Sequence, residues 1–217
     1  MKKLLIAFFA VSICLVSCKN ETKEAMETDT EMATDTTAIA EPETPEVVMD
    51  SVAMEKAWEA YMTPGEPHKM MAAEEGKWNN EMTFWMGASG EPTKATSTAE
   101  IKMILGGRYQ ETNYKGDMMG MPFEGRATTA YDNATKEVVS TWIDNMGTGM
   151  MILHGTYDGT TKTTTSMGTM VDPFTGKERK IREIYTIVDD NTRKMEMFET
   201  ANGGEEYKSM EIVMKRA

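Results

Sequence analysis

Hydrophobic and polar residues alternate along most of the chain, and this alternation predicts β-strands. Successive side chains of a strand point to opposite faces, so each alternating run has one apolar face to bury. Phe123 and Tyr131 share a face in one such run, and Val138 and Trp142 share a face in the next. The pattern therefore predicts a β-rich domain over residues 76–217.

Short turn signals separate the alternating runs. The segments YDNATK and YDGTTK lie 26 residues apart, and DDNTRK repeats their chemistry further along the chain. An aspartate that opens a tight turn accepts hydrogen bonds from the amides that follow it. We therefore interpret Asp132, Asp158 and Asp190 as structural turn residues of β-hairpins.

About ten strands joined by short hairpins predict an antiparallel up-and-down β-barrel. An open sheet of this size would expose two edges, and closure into a barrel removes them. A barrel of eight or more strands can enclose one small ligand, as lipocalins do. A β-sandwich is the alternative, although the sequence lacks the long crossovers of Greek-key connections.

Residues 50–75 carry a helical period instead of a strand period. Trp58 and Tyr61 lie on the apolar face of a predicted helix, Ser51 to Met62, which Asp50 caps. We expect this face to pack on the sheet or to close one end of the barrel. A partner-binding face is the alternative.

The first 18 residues, MKKLLIAFFAVSICLVSC, have the pattern of an export signal that ends in a lipobox. Two lysines precede an apolar core, and LVSC places a small residue before Cys18. We expect residues 1–17 to be removed and Cys18 to carry acyl chains that anchor the protein to a membrane. An ordinary cleaved signal with an incidental cysteine is the alternative.

Residues 18–49 are rich in Glu, Thr, Ala and Asp and contain no aromatic residue, which predicts a disordered linker. The whole chain has a net charge of −12. This charge argues against nucleic acid as a partner, because phosphate backbones bind basic surfaces. The export signal and lipobox predict a lipid-anchored protein of the bacterial cell envelope.

The sequence lacks the motifs of common enzyme classes. It contains no GxSxG elbow, phosphate-binding loop or HExxH motif, and its only histidines are His68 and His154. We interpret His154 as a hydrogen-bonded or rim residue. The alternatives are a catalytic base or, in a haem-binding barrel, an axial ligand. The sequence does not identify a cofactor, and whether one is bound stays open.

Methionine is unusually frequent, with 23 residues in the chain. Thioethers suit soft metals such as Cu(I), but methionine also fills cores and lines adaptable pockets. Two Gly-rich loops carry methionine clusters and could form the rim of one barrel mouth, where we expect a ligand. The predicted ligand residues are Trp142 as an apolar wall, the polar residues Arg108, Glu124, Asp144, Arg182 and His154, and Met119 and Met150.

Several segments resemble the bacterial family catalogued as domain of unknown function 1579. They are EGKWNNEM, AEIKMILGGRY, YKGDMMGMPFEG, YDNATKEVVSTWIDNMGTGMM, GTYD, DPFTGK and MEIVMKR. The resemblance extends in order from about Trp58 to the C-terminus. It implies a single β-rich domain, often exported, with a form similar to calycin-like ligand barrels and no agreed activity.

Three functional hypotheses follow. The first is a membrane-anchored barrel that binds a small, partly hydrophobic molecule. The second is an enzyme at the same mouth that uses Asp144 or Glu124 as acid and base. The third is a soft-metal or protein-interaction module based on the methionine clusters.

Overall fold

The structure, a computed structural model, describes residues 50–200 and 204–217. Within these ranges two short helices precede ten antiparallel strands, which form one closed barrel. The predicted signal peptide, Cys18 and the linker lie outside the described residues. The up-and-down barrel of about ten strands that the sequence predicts is confirmed.

The bounds of the elements follow in chain order. The helices are α1 (Ser51–Met62) and α2 (Glu66–Ala72), and the strands are β1 (Gly76–Phe84), β2 (Thr93–Ile104), β3 (Tyr109–Met118), β4 (Met121–Tyr131), β5 (Val138–Asp144), β6 (Met151–Asp158), β7 (Thr163–Val171), β8 (Glu178–Asp189), β9 (Thr192–Thr200) and β10 (Glu206–Arg216).

Hydrogen bonds between the first and last strands close the barrel. Each strand pairs with its neighbours in sequence, and β1 also pairs with β10, where Trp78 lies opposite Arg216 and Phe84 opposite Met210. A sandwich needs two separate sheets, so the β-sandwich alternative is wrong. Closure also pairs both edges that an open meander of the described strands would expose.

The connections alternate between the two ends of the barrel, because consecutive strands run in opposite directions. The helical end carries α2 and the turns after β2, β4, β6 and β8. The methionine end carries the loops after β1, β3, β5 and β7, in which Met86, Met119 and Met150 are exposed. The two Gly-rich methionine loops therefore share one barrel mouth.

Helix α1 begins after Asp50, whose carboxylate accepts a hydrogen bond of 2.7 Å from a backbone amide of the first turn. No residue of α1 is buried, and Trp58 remains 60% exposed and Tyr61 47% exposed. The predicted packing of these two rings on the sheet is not observed. Asn133 instead holds the end of the helix by donating to the carbonyls of Tyr61 and Thr63, at 3.0 and 2.8 Å. No helix within the described ranges has the length and apolar character of a membrane span.

The larger hydrophobic core fills the barrel towards the helical end. Trp78 is its most buried residue, and its indole nitrogen donates to the Glu74 carbonyl at 2.9 Å. The other buried members of this core are Met82, Ala99, Ile101, Ile212 and Met214. A smaller cluster on β6, β8 and β9 contains Leu153, Ile181 and Met197.

The turn aspartates accept hydrogen bonds as the sequence predicts, with one exception. Asp132 and Asp158 each accept a hydrogen bond from the amide two residues ahead, at 2.7 and 2.8 Å. In the turn after β8 this acceptor is Asp189, not Asp190. Backbone hydrogen bonds to the carboxylates lower the pKa of both Asp158 and Asp189, as expected for structural turn residues.

Candidate ligand-binding site

Three aromatic rings line one side of the barrel interior. Trp142 on β5 packs edge-on against Tyr114 with 5.2 Å between ring centroids, and stacks on Phe123 at 6.2 Å. Gly125 makes this possible, because a Cβ atom at that position would lie 2.5 Å from the Trp142 ring. We call Tyr114, Phe123 and Trp142 the aromatic wall.

Asp144 fixes the orientation of the aromatic wall. It is the last residue of β5, so it lies at the rim of the methionine end. Its carboxylate accepts a hydrogen bond of 2.7 Å from the Trp142 indole nitrogen and one of 2.9 Å from the Met146 amide. Asp144 therefore holds the indole in place with a carboxylate whose two oxygens are both engaged.

Glu183 is the one carboxyl group on the interior face that has no partner among the described residues. It lies on β8 between Ile181 and Tyr185 on the inward face, and neither a hydrogen bond nor an ion pair within residues 50–200 and 204–217 reaches it. Its register neighbours are Ser166 on β7 and Met197 on β9, which carry no charge. Burial alone raises the pKa of Glu183 to about 7.

Two tyrosines complete the polar part of the interior. Burial raises the pKa of Tyr114, and the charges of Glu183 and Glu74 raise it further. Burial and the charge of Glu74 raise the pKa of Tyr185 as well. Both phenols therefore stay protonated at neutral pH and can donate hydrogen bonds. Tyr114 contacts Trp142 and, like Tyr185, packs against the core around Trp78, so the aromatic wall and the inward face of β8 border the same interior.

A hydrogen-bonded network closes the helical end of the barrel. Glu74 accepts from the Arg193 guanidinium at 2.6 Å, from Gln110 at 3.1 Å and from the Tyr185 hydroxyl at 3.1 Å. The side chains of Glu74 and Arg193 are 8% and 4% exposed. We call Glu74, Gln110, Tyr185 and Arg193 the polar plug. Its carboxylate is fully engaged, in contrast to that of Glu183.

Small side chains lie next to Glu183 on the neighbouring strands. Ser166 stands opposite Glu183 in the β7–β8 register, and Gly155 stands opposite Ser166 in the β6–β7 register. Both are buried, so the inward face of β6 and β7 presents no large side chain at these positions. An interior ligand would thus meet a carboxyl group and small residues on one side and the aromatic wall on the other.

The remaining predicted ligand residues do not point into the barrel with Trp142. Glu124 lies on the outer face, 3.5 Å from Lys115, and His154 is exposed on the outer face, 3.8 Å from Glu137. Arg182 also lies on the outer face of the barrel, where its guanidinium carbon is 4.0 Å from the centroid of the Phe198 ring.

The other three predicted residues lie in connections. Arg108 is exposed in the turn after β2, at the helical end. Met119 and Met150 are exposed at the methionine end. Of the predicted residues, the structure therefore places Trp142 and Asp144 together, with the two methionines at the same mouth.

Sequence reasoning missed Glu183 and the polar plug. The signal for Glu183 was present, because Ile181, Glu183 and Tyr185 alternate on one face of a strand whose other face carries Arg182. Glu74 lies between α2 and β1, where no periodicity predicts which way a side chain points.

The arrangement can hold a proton near neutral pH and can bind a group that complements a carboxylate. Among the described residues, no three His, Cys, Asp or Glu side chains are grouped so as to hold a metal ion. On the outer surface, a groove of about 460 Å³ along β7 and β8 is lined by Met167 and Arg182 among others.

The comparisons with known proteins identify the family and the fold. The crystal structure of Rv2717c from M. tuberculosis has a TM-score of 0.52 and 15% sequence identity, and the match covers 71% of this chain and 99% of that one. A redesigned beta barrel has a TM-score of 0.37 and 12% identity, over 68% of this chain and 94% of that one. No curated protein matches the sequence.

The family comparison covers the barrel and the helix that precedes it. The model described as "Protein of unknown function (DUF1579)" matches residues 63–216, which include α2 and all ten strands of the barrel. This chain therefore belongs to the DUF1579 family.

Proposed function

We propose that the protein is a lipid-anchored lipoprotein of the cell envelope whose barrel binds a small, partly hydrophobic molecule in its interior. The observation that carries the binding proposal is Glu183, a carboxyl group without a partner among the described residues, on the inward face of the barrel that also holds the aromatic wall. An unpaired buried carboxyl group lowers stability, and proteins tolerate such a cost mainly where a ligand uses the group.

The methionine end is the proposed entrance. The polar plug and α2 occupy the helical end, whereas the methionine end carries exposed apolar side chains, including Met119 and Met150. Flexible methionine side chains adapt to apolar ligands of different shape. Exposed apolar groups around an opening are also typical of ligand-binding surfaces.

Binding is favoured over catalysis because the site lacks a second group that titrates near neutrality. Glu183 could exchange a proton at pH 7, but burial raises the pKa of the neighbouring Tyr114 and Tyr185 phenols away from that range. The sequence suggested Asp144 and Glu124 as acid and base. The Asp144 carboxylate accepts a hydrogen bond from Trp142, and Glu124 lies on the outer face of the barrel, away from the interior.

The binding proposal is tested by native mass spectrometry of the protein purified under mild conditions. We expect a small molecule to co-purify with the wild type and to be released on denaturation. Trp142→Ala should reduce its occupancy strongly, whereas Trp58→Ala on the exposed face of α1 should not. Equal occupancy in both variants would contradict an interior site.

The anchor is tested separately by Cys18→Ser. We expect the wild type to incorporate radiolabelled palmitate and to sediment with membranes. The variant should lose both properties, while a control change in the linker, Thr34→Ala, should lose neither. A serine variant that is still acylated and still sediments with membranes would refute the anchor.

A further inference from the structure

We propose that the interior site is selective for small organic cations, namely primary amines that carry an apolar group. Glu183 is the counter-ion of the ammonium group, and the aromatic wall contacts the apolar group. This inference rests on the proposed binding function and names the chemical class of the ligand.

The first support is the pairing of the other interior and rim carboxylates. Glu74 accepts hydrogen bonds from Arg193, and Asp144 accepts from Trp142. At the methionine end, Glu199 accepts from Arg179 at 3.0 Å and from Tyr207 at 3.2 Å. Each of these groups obtains its donors from the protein, so a donor for Glu183 has to come from a ligand.

The second support is that the protein's own interior cations are already engaged. Arg193 bonds Glu74, and Arg179 bonds both Asp172 and Glu199. Tyr185 lies two residues after Glu183 on the same inward face, and the Tyr114 and Tyr185 rings, which pack against the same core, remain neutral because burial raises the pKa of both phenols. The carboxylate of Glu183 therefore stands in an apolar and aromatic environment without compensating charge.

Electrostatics then discriminates among ligand classes. An anion would be repelled by the Glu183 carboxylate, and a neutral molecule would leave the cost of burying this charge in place. An ammonium group offsets that cost through a charge-assisted hydrogen bond. The faces of aromatic rings attract the same cation, and Tyr185 follows Glu183 on the same inward face of β8, while Tyr114 packs against the same core as Tyr185.

The charge of the whole chain acts in the same direction. The net charge is −12, so the protein attracts cations from solution and repels anions. At the methionine end, the rim carboxylate of Asp144 lies 2.7 Å from the indole nitrogen of Trp142 in the aromatic wall. A cation that enters there meets negative charge at the rim and again at Glu183.

The experiment compares matched probes that differ only in charge. Binding of 2-phenylethylamine, 2-phenylethanol and phenylacetate, and of hexylamine, hexanol and hexanoate, is measured by calorimetry on the wild type and on Glu183→Gln. Glutamine keeps the shape of the side chain and removes the charge. Glu81→Gln, on the outer face of β1, makes the same change in net charge as a control.

We expect the wild type and the Glu81→Gln control to bind each amine roughly ten- to hundredfold more tightly than the matching alcohol. Glu183→Gln should lose this preference and still bind the alcohols. At pH 6, where Glu183 with a pKa of about 7 is mostly protonated, amine binding should release close to one proton. The release should vanish in Glu183→Gln, and it should vanish at pH 9, where Glu183 is already ionised.

The possible failures are distinguishable. If alcohols and amines bind the wild type equally, the cation proposal is wrong and the binding function stands. If the amine preference persists in Glu183→Gln, the counter-ion is not Glu183 and the proposal is overturned. If none of the six probes binds, both the cation proposal and the proposed function are overturned. Circular dichroism of each variant checks that the barrel is intact.

Discussion

Glu183 should make the stability of the barrel fall as the pH rises. The pKa of this carboxyl group is about 7 in the folded protein, against a value of 4.5 for an unperturbed glutamate. Between these two pH values the folded state binds more protons than the unfolded state, so the free energy of unfolding decreases as pH rises from 4.5 to 7. Below 4.5 both states are protonated and the effect vanishes, and above 7 it is fully present.

The size of the effect follows from the shift in pKa. The pKa rises from 4.5 to about 7, and at roughly 1.4 kcal/mol for each pKa unit this amounts to about 3–4 kcal/mol. This value is an upper bound, because Glu183 keeps part of its surface accessible and water inside the barrel would solvate the carboxylate. For a domain of this size, 3–4 kcal/mol corresponds to about 6–16 °C in Tm.

The assay is thermal or urea unfolding of the wild type, Glu183→Gln and the control Glu81→Gln at pH values from 4 to 9. Other carboxyl groups titrate in all three proteins, so the difference between each variant and the wild type isolates the mutated group. We expect Glu183→Gln to gain stability over the wild type as pH rises, reaching its full gain above pH 7. Glu81→Gln, which is exposed, should show no such gain. A difference for Glu183→Gln that does not change with pH would refute the reasoning.

Two further predictions concern the groups that shape the interior. Gly125→Ala places a Cβ atom 2.5 Å from the Trp142 ring and should destabilise the barrel by about 1–3 kcal/mol in urea unfolding, whereas Gly147→Ala, with no atom within 4 Å, should have little effect. Equal effects would contradict the tight packing. Arg193→Met leaves the buried Glu74 carboxylate without its cation and should cost about 3–5 kcal/mol by the same measurement. Adding Glu74→Gln should recover part of this loss, and no recovery would show that the arginine acts through packing rather than charge.

Sequence periodicity predicted the architecture because a closed antiparallel meander is built from local features. The predicted bounds of α1, Ser51–Met62, are those of the structure, and the turn signals YDNATK, YDGTTK and DDNTRK lie between consecutive strands. Periodicity also placed Asp144 beside Trp142, since the two residues are two positions apart on one strand. These are properties that a single strand or turn determines by itself.

The interior of the site was harder to predict because one residue of shift exchanges the two faces of a strand. Arg182 was predicted to be a ligand residue, but it lies on the outer face of the barrel, where its guanidinium stacks on the Phe198 ring. Its neighbour Glu183 points into the barrel. A charged residue in an alternating run is ordinarily assigned to solvent. The correct assignment required knowing that Tyr185, on the same face as Glu183, donates a hydrogen bond to Glu74. This contact joins β8 to the segment before β1, and the strand pattern alone does not predict it.

Glu74 and Glu183 both lie inside the barrel, but they differ in whether the protein supplies hydrogen-bond donors to their carboxyl groups. Glu74 is buried, but it accepts hydrogen bonds from three side chains, so its charge is compensated and it joins β3, β8 and β9 at the helical end. Glu183 faces the same interior without any such donor among the described residues, and burial raises its pKa to about 7. Burying an ionised carboxyl group without a partner costs stability. Under the proposed binding function, a ligand that carries the opposite charge removes this cost, which would explain a carboxyl group at position 183.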